Sequence, residues 1–297
     1  MAETAATPAT EPTRLRDASR YLWLVFASAF LGWTFDAMDL NIFTLILTPT
    51  VSDLAGTTNP AEIAGIGGTI VALKLFAWGI GGILFGALTD RFGRARILIV
   101  TVVIYAVFTG LSALATSTWQ LALFQVIAGL GIGGEWAAGA ALLAETWPER
   151  LRAKIMQLMQ MGFAVGFFLA ALINLVIGPY GWRWVLAAGL VPILVVLVVR
   201  RFVHEPERWR RVRATVPSGG TTFGSFARLF RPDLRRSTIV GILIGIAMMV
   251  GSWGGLTWVP AWIGQLAGSP ARAVELVSYA FMLLNACLLY TSPSPRD

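Results

Sequence analysis

Two carboxylates three residues apart in an apolar stretch, Asp36 and Asp39 in Gly32-Trp33-Thr34-Phe35-Asp36-Ala37-Met38-Asp39-Leu40-Asn41, are the residues of this chain best placed for chemistry. On a helix that spacing puts both on one face. Two carboxylates close together in a poorly hydrated cavity do not both ionise easily, which is what a proton carrier needs. The alternative is a pair of acids satisfied by backbone donors or by a basic neighbour such as Lys74. A third acid, Glu135, ends the glycine-rich run Gly129-Leu130-Gly131-Ile132-Gly133-Gly134-Glu135. It is either a second protonatable site or a carboxylate that neutralises a nearby arginine. Asn41, Thr44, Gln157, Gln160 and Asn174 are candidates for lining a polar path, and Asn41, Gln157 and Gln160 join the three acids as proton- or substrate-binding candidates. Trp33, Trp136, Trp253 and Trp258 could stack on a ligand or simply pack.

Other chemistry finds little material. One cysteine, Cys287, and one histidine, His204, leave almost nothing for a metal or thiol site. Gly129, Gly131 and Gly134 satisfy a dinucleotide-binding expression, but no strand precedes them and no βαβ unit surrounds them. No nucleophile, metal cluster or cofactor motif is present, so the chain is read as no enzyme, with no metal and no cofactor other than a proton as coupling ion.

The elements that carry these residues belong in lipid. With 56% hydrophobic and 13% charged residues and a mean hydropathy of +0.70, the chain has too little polar surface for a soluble globule. Apolar segments run over 21–48, 65–89, 97–115, 119–144, 155–177, 182–199, 238–263 and 273–289. Each approaches or exceeds the ~20 residues that cross a bilayer core as a helix; the eighth is the weakest. Residues 1–20 carry no apolar core of their own and read as a short tail. An acid inside such a span costs about 2.5–3.5 kcal/mol and is seldom there without a use. The glycines of 129–134 strip one helix face bare, so that another helix can approach closely.

The net charge of +7 is a topology signal. Three arginines precede the first span, three follow the second, three cations follow the fourth, and ten arginines lie between Arg200 and Arg236: nineteen of the 23 Lys and Arg. The loops 49–64, 116–118 and 178–181 hold none. Positive charge marks the cytoplasmic side, so the N-terminus is expected inside. The basic stretch from 200 to 237 also suits anionic headgroups, and it lacks a nucleic-acid-binding module.

Gly86-Ala87-Leu88-Thr89-Asp90-Arg91-Phe92-Gly93-Arg94 joins two of these spans, with Gly86 closing one and Ile97 opening the next. It resembles the G-x-L-x-D-R-x-G-R loop between the second and third helices of the major facilitator superfamily. Gly93 permits the sharp turn. Asp90, Arg91, Arg94, Glu145, Glu149, Arg150, Arg152 and Lys154 gather at the ends of spans two to five, either as a latch that locks one conformation or as a static salt-bridge cluster.

The resemblance implies an all-α integral membrane fold. Residues 1–20 are a cytoplasmic tail, 21–199 a six-helix half, 200–237 a basic linker and 238–286 the truncated start of a second half. Residues 287–297 resemble a translated sequencing adapter on an interrupted reading frame. Gly133-Gly134-Glu135-Trp136, Ala144-Glu145-Thr146-Trp147-Pro148-Glu149-Arg150-Leu151-Arg152 and Trp33-x-Phe-Asp36-x-Met-Asp39 are similar to the proton-coupled organic-anion branch that includes sialic acid and lactate symporters. Glu205-Pro206-Glu207-Arg208-Trp209 is similar to a sugar-porter motif, from which His204 and Pro206 depart. Gln125 stands where many relatives have an arginine, four residues before Gly129.

What this implies is a secondary transporter of the cell membrane, in bacteria the inner membrane, monomeric at full length. It would carry a small organic anion and a proton together by alternating access. Proton-antiport efflux, facilitative transport of another metabolite, and a non-transporting fragment are the alternatives.

Overall fold

A computed structural model describes residues 15–194, 230–256 and 258–291, and among them every regular element is a helix. Helix α1 (Arg20–Ala55) starts where the Ser19 hydroxyl accepts the Leu22 N–H and ends at Gly56, whose φ of 64° closes the last turn. Helix α2 (Pro60–Phe92) has Asn59 as its cap, with Pro60 in the position where its missing N–H costs nothing. α3 (Arg94–Ser112) follows after one residue. α4 (Thr118–Thr146) is capped by Ser117, and α5 (Glu149–Ile177) begins after Pro148. The short α6 (Trp182–Ala187) leads into a 3-10 turn, Ala188–Leu190. Beyond the linker come α7 (Arg235–Leu256), α8 (Val259–Leu266) and α9 (Pro270–Thr291).

Two boundaries differ from the sequence reading. Gly86 does not close α2. The helix runs on through Phe92, and the reversal falls on Gly93 alone, whose φ of 106° an L side chain would resist. The apolar run 238–263 is interrupted between Leu256 and Val259, where Pro260 occupies the first turn of a new helix. α9 runs to Thr291. The rest of the sixth span, the linker up to residue 229, residues 292–297 and the side chains of Asp90 and Trp253 lie outside the described residues.

Among the described residues, α1 to α5 are long and apolar enough to cross a membrane. Their burial pattern is inverted relative to a soluble protein. Phe76 is 71% exposed and Leu114 70%, whereas Asp36, Asp39 and Glu135 are fully buried. Exposed apolar side chains around buried acids fit a lipid surround.

α4 packs against α2 on one side and α3 on the other, and α1 lies along α5, which also receives α9. The bare face of α4 lets backbones meet. A Cβ on Gly133 would strike the Trp78 carbonyl and stand 2.6 Å from the Gly82 nitrogen, and one on Gly129 would strike the Lys74 carbonyl. That close approach of α2 to α4 carries Lys74 and Glu135 into the same interior.

Candidate functional site

Four helices deliver one buried polar cluster. α1 supplies Asp36 and Asp39, α2 supplies Lys74, α3 supplies Tyr105 and α4 supplies Glu135. Lys74, 3% exposed, places Nζ 3.3 Å from Asp39 Oδ2 and 3.3 Å from the Asp39 carbonyl oxygen. A buried ion pair of this kind is strongly destabilised when one partner is removed. Lys74 therefore answers the charge of Asp39, one of the two outcomes the sequence left open, and does not reach the surface.

Asp36 forms no such ion pair among the described residues, although Lys74 lies within its electrostatic reach. Its carboxyl lies within hydrogen-bonding reach of Glu135, yet all four oxygens of the pair lack a donor among the described residues. As carboxylates neither can donate; with one proton between them they form a hydrogen bond. The Glu135 carboxyl is seated against Gly32, where a Cβ would overlap Oε1, and a Cβ on Gly139 would come within 3.5 Å of the same oxygen. Glu135 thus faces an acid, and among the described residues no arginine bonds to either of its oxygens. Tyr105, fully buried and with its hydroxyl unpartnered among the described residues, lies within electrostatic reach of Asp36, Glu135 and Asp39.

The other sequence candidates lie apart from this cluster. Asn41 turns its amide back to the Ala37 carbonyl at 3.5 Å, and Thr44 bonds the Leu40 carbonyl at 3.3 Å. Gln157 and Gln160 are exposed on α5. Asn174 donates to the Ser278 hydroxyl at 3.0 Å and so ties α5 to α9. Trp33 and Trp136 approach with ring centroids 6.2 Å apart. Tyr105 was missed by sequence reading; its one signal was a lone phenol in the apolar run 97–115.

At the arginine-rich end the structure joins Arg94 to Glu145, with Nη2–Oε1 at 2.7 Å and Nε–Oε1 at 3.1 Å, while Nη1 donates to the Thr89 carbonyl at 3.0 Å. Gly93 donates its N–H to the same carbonyl at 3.1 Å. Arg91 is exposed with its guanidinium 5.4 Å from the Phe92 ring, and Arg150 is exposed. Arg152 is half-buried and its Nε is unpartnered among the described residues; Gly86 sits mid-helix opposite Ala137. At the other end Asp53 accepts from Arg183 at 3.0 Å and from the Trp182 indole at 3.1 Å.

A buried set of acids and one lysine inside a helical bundle is a transporter's arrangement, and the family comparison agrees. Residues 17–293 match the family model described as Major Facilitator Superfamily. The chain belongs to that superfamily. It is 34% identical over 228 residues to the sialic acid transporter NanX of Escherichia coli, covering 76% of this chain and 53% of that protein. It is 26% identical over 280 residues to the cis,cis-muconate transport protein of Acinetobacter baylyi, covering 93% and 66%. A solved D-xylose-proton symporter shares the fold at 20% identity, with a TM-score of 0.70 over 91% of this chain and 67% of the other. The chain spans between about half and two thirds of the length of these relatives. Major facilitator proteins are multi-pass membrane transporters, not enzymes, and the fold here is part of theirs, with the N-terminal half represented.

Proposed function

We propose that this chain belongs to a proton-coupled symporter of a small organic carboxylate, and that Asp36 and Glu135 together carry the proton. One observation supports this above the rest: two fully buried carboxyls face each other with all four oxygens lacking a donor among the described residues. Two unit charges about 4 Å apart at an effective dielectric near 20 repel by about 4 kcal/mol. A single shared proton relieves that repulsion and satisfies both groups. Lys74 offsets Asp39, so the bundle interior remains negative until the proton arrives, and an anion approaching it is repelled. Protonation removes that repulsion, which couples the two movements by Coulomb's law. The relatives named for sialic acid, cis,cis-muconate, niacin and gentisate transport supply the substrate class, since each of those compounds is a carboxylic acid.

In this reading the arginine-rich end is cytoplasmic, by the positive-inside rule, and the membrane is the bacterial inner membrane. The Arg94–Glu145 pair, with Gly93 at the turn, acts as the latch between α2–α3 and α4. The full-length transporter works as a monomer.

The test is uptake of labelled sialic acid, cis,cis-muconate, niacin, gentisate, lactate and xylose into proteoliposomes. The complete reading frame containing this chain is used, with and without an inward proton gradient. At least one acid should accumulate with the gradient, and Asp36→Asn and Glu135→Gln should each lower that accumulation by about 100-fold or more, the scale on which a positioned acid–base group acts. Gradient-independent uptake, or uptake indifferent to both substitutions, would sink the assignment.

A further inference from the structure

We infer that Gln125, Ser112, Thr109 and Tyr105 form a hydrated proton route, running inside the bundle from the Ser117 end of α4 to the Asp36–Glu135 pair and separate from the substrate path. This rests on the reading of that pair as the proton carrier.

Tyr105, Thr109 and Ser112 stand on one face of α3 at i, i+4 and i+7, and all three are fully buried. Gln125 of α4, also fully buried, donates to the Ser112 hydroxyl at 3.1 Å. Its Oε1, Thr109 Oγ1 and Tyr105 Oη find no partner among the described protein residues. The large majority of buried polar atoms are paired, and a water molecule making two to four bonds can supply a partner that the protein does not. Two orphans on the α3 stripe and a third on Gln125 across from it therefore mark a line of water sites and not a single defect.

The stripe has two defined ends. Beyond Ser112 the chain reaches the surface at exposed Thr116 and Ser117, where Thr116 bonds Gln120 Oε1 through its N–H at 3.0 Å and its hydroxyl at 3.1 Å. At the inner end Tyr105 lies within electrostatic reach of the acids. Between the two, Gly189 lets the 188–190 turn pack directly against α3. A Cβ there would overlap the Thr109 methyl and come within 3.4 Å of Asp39 Oδ1, another buried oxygen with no donor among the described residues. Among the described residues the buried charged groups of this region are Asp36 and Asp39 of α1, Lys74 of α2 and Glu135 of α4; Arg94 of α3 is buried at the helix's opposite end, and Arg183 of α6 reaches the Ala115 carbonyl at 3.5 Å near the outer end of the stripe.

A hydroxyl can accept a proton from water on one side while giving up its own on the other, so it is unchanged after each passage. The proton leaves a hydronium at the surface, which remains as water, and ends on a carboxylate oxygen of the pair. Gln125 contributes an acceptor that orients water, whereas an arginine at this position would place a fixed positive charge across the route.

Tyr105→Phe, Thr109→Val and Gln125→Met remove the polar atoms and keep the side-chain volumes close. Gradient-driven uptake of labelled cis,cis-muconate, niacin, gentisate and sialic acid is compared with their exchange at zero gradient, where a proton need not leave the carrier. The variants should slow gradient-driven uptake about tenfold or more and leave exchange within about twofold, since only proton delivery is impaired. Wild-type gradient-driven rates in all three variants overturn the route and leave the proton carrier standing. Parallel loss of uptake and exchange, or loss of monodisperse folded protein, assigns the stripe a packing role and also overturns it. Acid uptake by the wild type that ignores the gradient overturns the carrier and the route together.

Discussion

Asp39 and Lys74 make a charge pair on which the neighbouring acids depend, and its energetics are separable from transport. Both side chains are buried, and Asp39 Oδ1 has no donor among the described residues, so the pair is under-satisfied there even when formed. Removing only the lysine leaves a carboxylate in a low-dielectric interior that already contains two others. Lys74→Met is expected to destabilise the protein by about 3–5 kcal/mol, and Lys74→Met combined with Asp39→Leu to recover most of that, because an apolar pair avoids the desolvation penalty. Thermal unfolding of detergent-solubilised protein followed by tryptophan fluorescence measures it; a double variant no more stable than the single one would deny that the lysine's main partner is Asp39. This juxtaposition was half legible in the sequence. Lys74 was among the neighbours that could satisfy the acids, but it is 35 positions from Asp39, and nothing local says which face of α2 meets α1.

Helix-to-helix contact is what converts isolated residues into a site, and small residues set its depth. Glu135 reaches Asp36 because Gly32 gives its carboxyl somewhere to lie. In Gly32→Ala the new methyl would occupy the place of Glu135 Oε1, forcing the carboxyl away from Asp36 at a cost of about 1–3 kcal/mol. Gly139→Ala is the control, since its Cβ would make ordinary 3.5 Å contacts with Glu135 Oε1 and Met159 Cε. Gradient-driven acid uptake should fall about tenfold or more in Gly32→Ala and stay within about twofold of wild type in Gly139→Ala. Equal activity of the two variants would show that the seat of Glu135 is unimportant. The glycine-rich face of α4 was readable because bare backbone in lipid has one obvious use, close approach. Which acid would lie opposite was not, because α1, α2 and α4 are apolar nearly all round and show no single amphipathic face by which to orient them. The reversal at Gly93 was legible for the opposite reason, since charge, glycine and chain reversal coincide within a few residues. The extent of α2 past Gly86 was not, because a glycine inside a lipid-embedded helix does not end it.

The whole molecule is asymmetric in two ways that have to agree if the transport reading is right. Positive charge gathers at the end bearing Arg94, Arg150 and Arg152, while the opposite end presents Asp53, Glu62 and the capped starts of α2 and α4. The polar stripe from Ser112 to Tyr105 opens toward that second end, so a proton drawn from outside the cell requires the second end to face outward. Orientation and proton route are therefore one question, and labelling can settle it without any substrate. With Cys287→Ser removing the chain's one thiol, a cysteine is introduced singly through Thr58→Cys, exposed between α1 and α2, or Arg150→Cys, exposed at the start of α5. A membrane-impermeant maleimide added to intact spheroplasts should label the Thr58→Cys protein at once and the Arg150→Cys protein only after the membrane is permeabilised. The reverse pattern would place the arginines outside, against the charge rule, and the stripe would then deliver protons from the cytoplasm. A gradient-driven symporter of this polarity could not be loaded along that line, and coupled export would replace uptake as the activity to be measured.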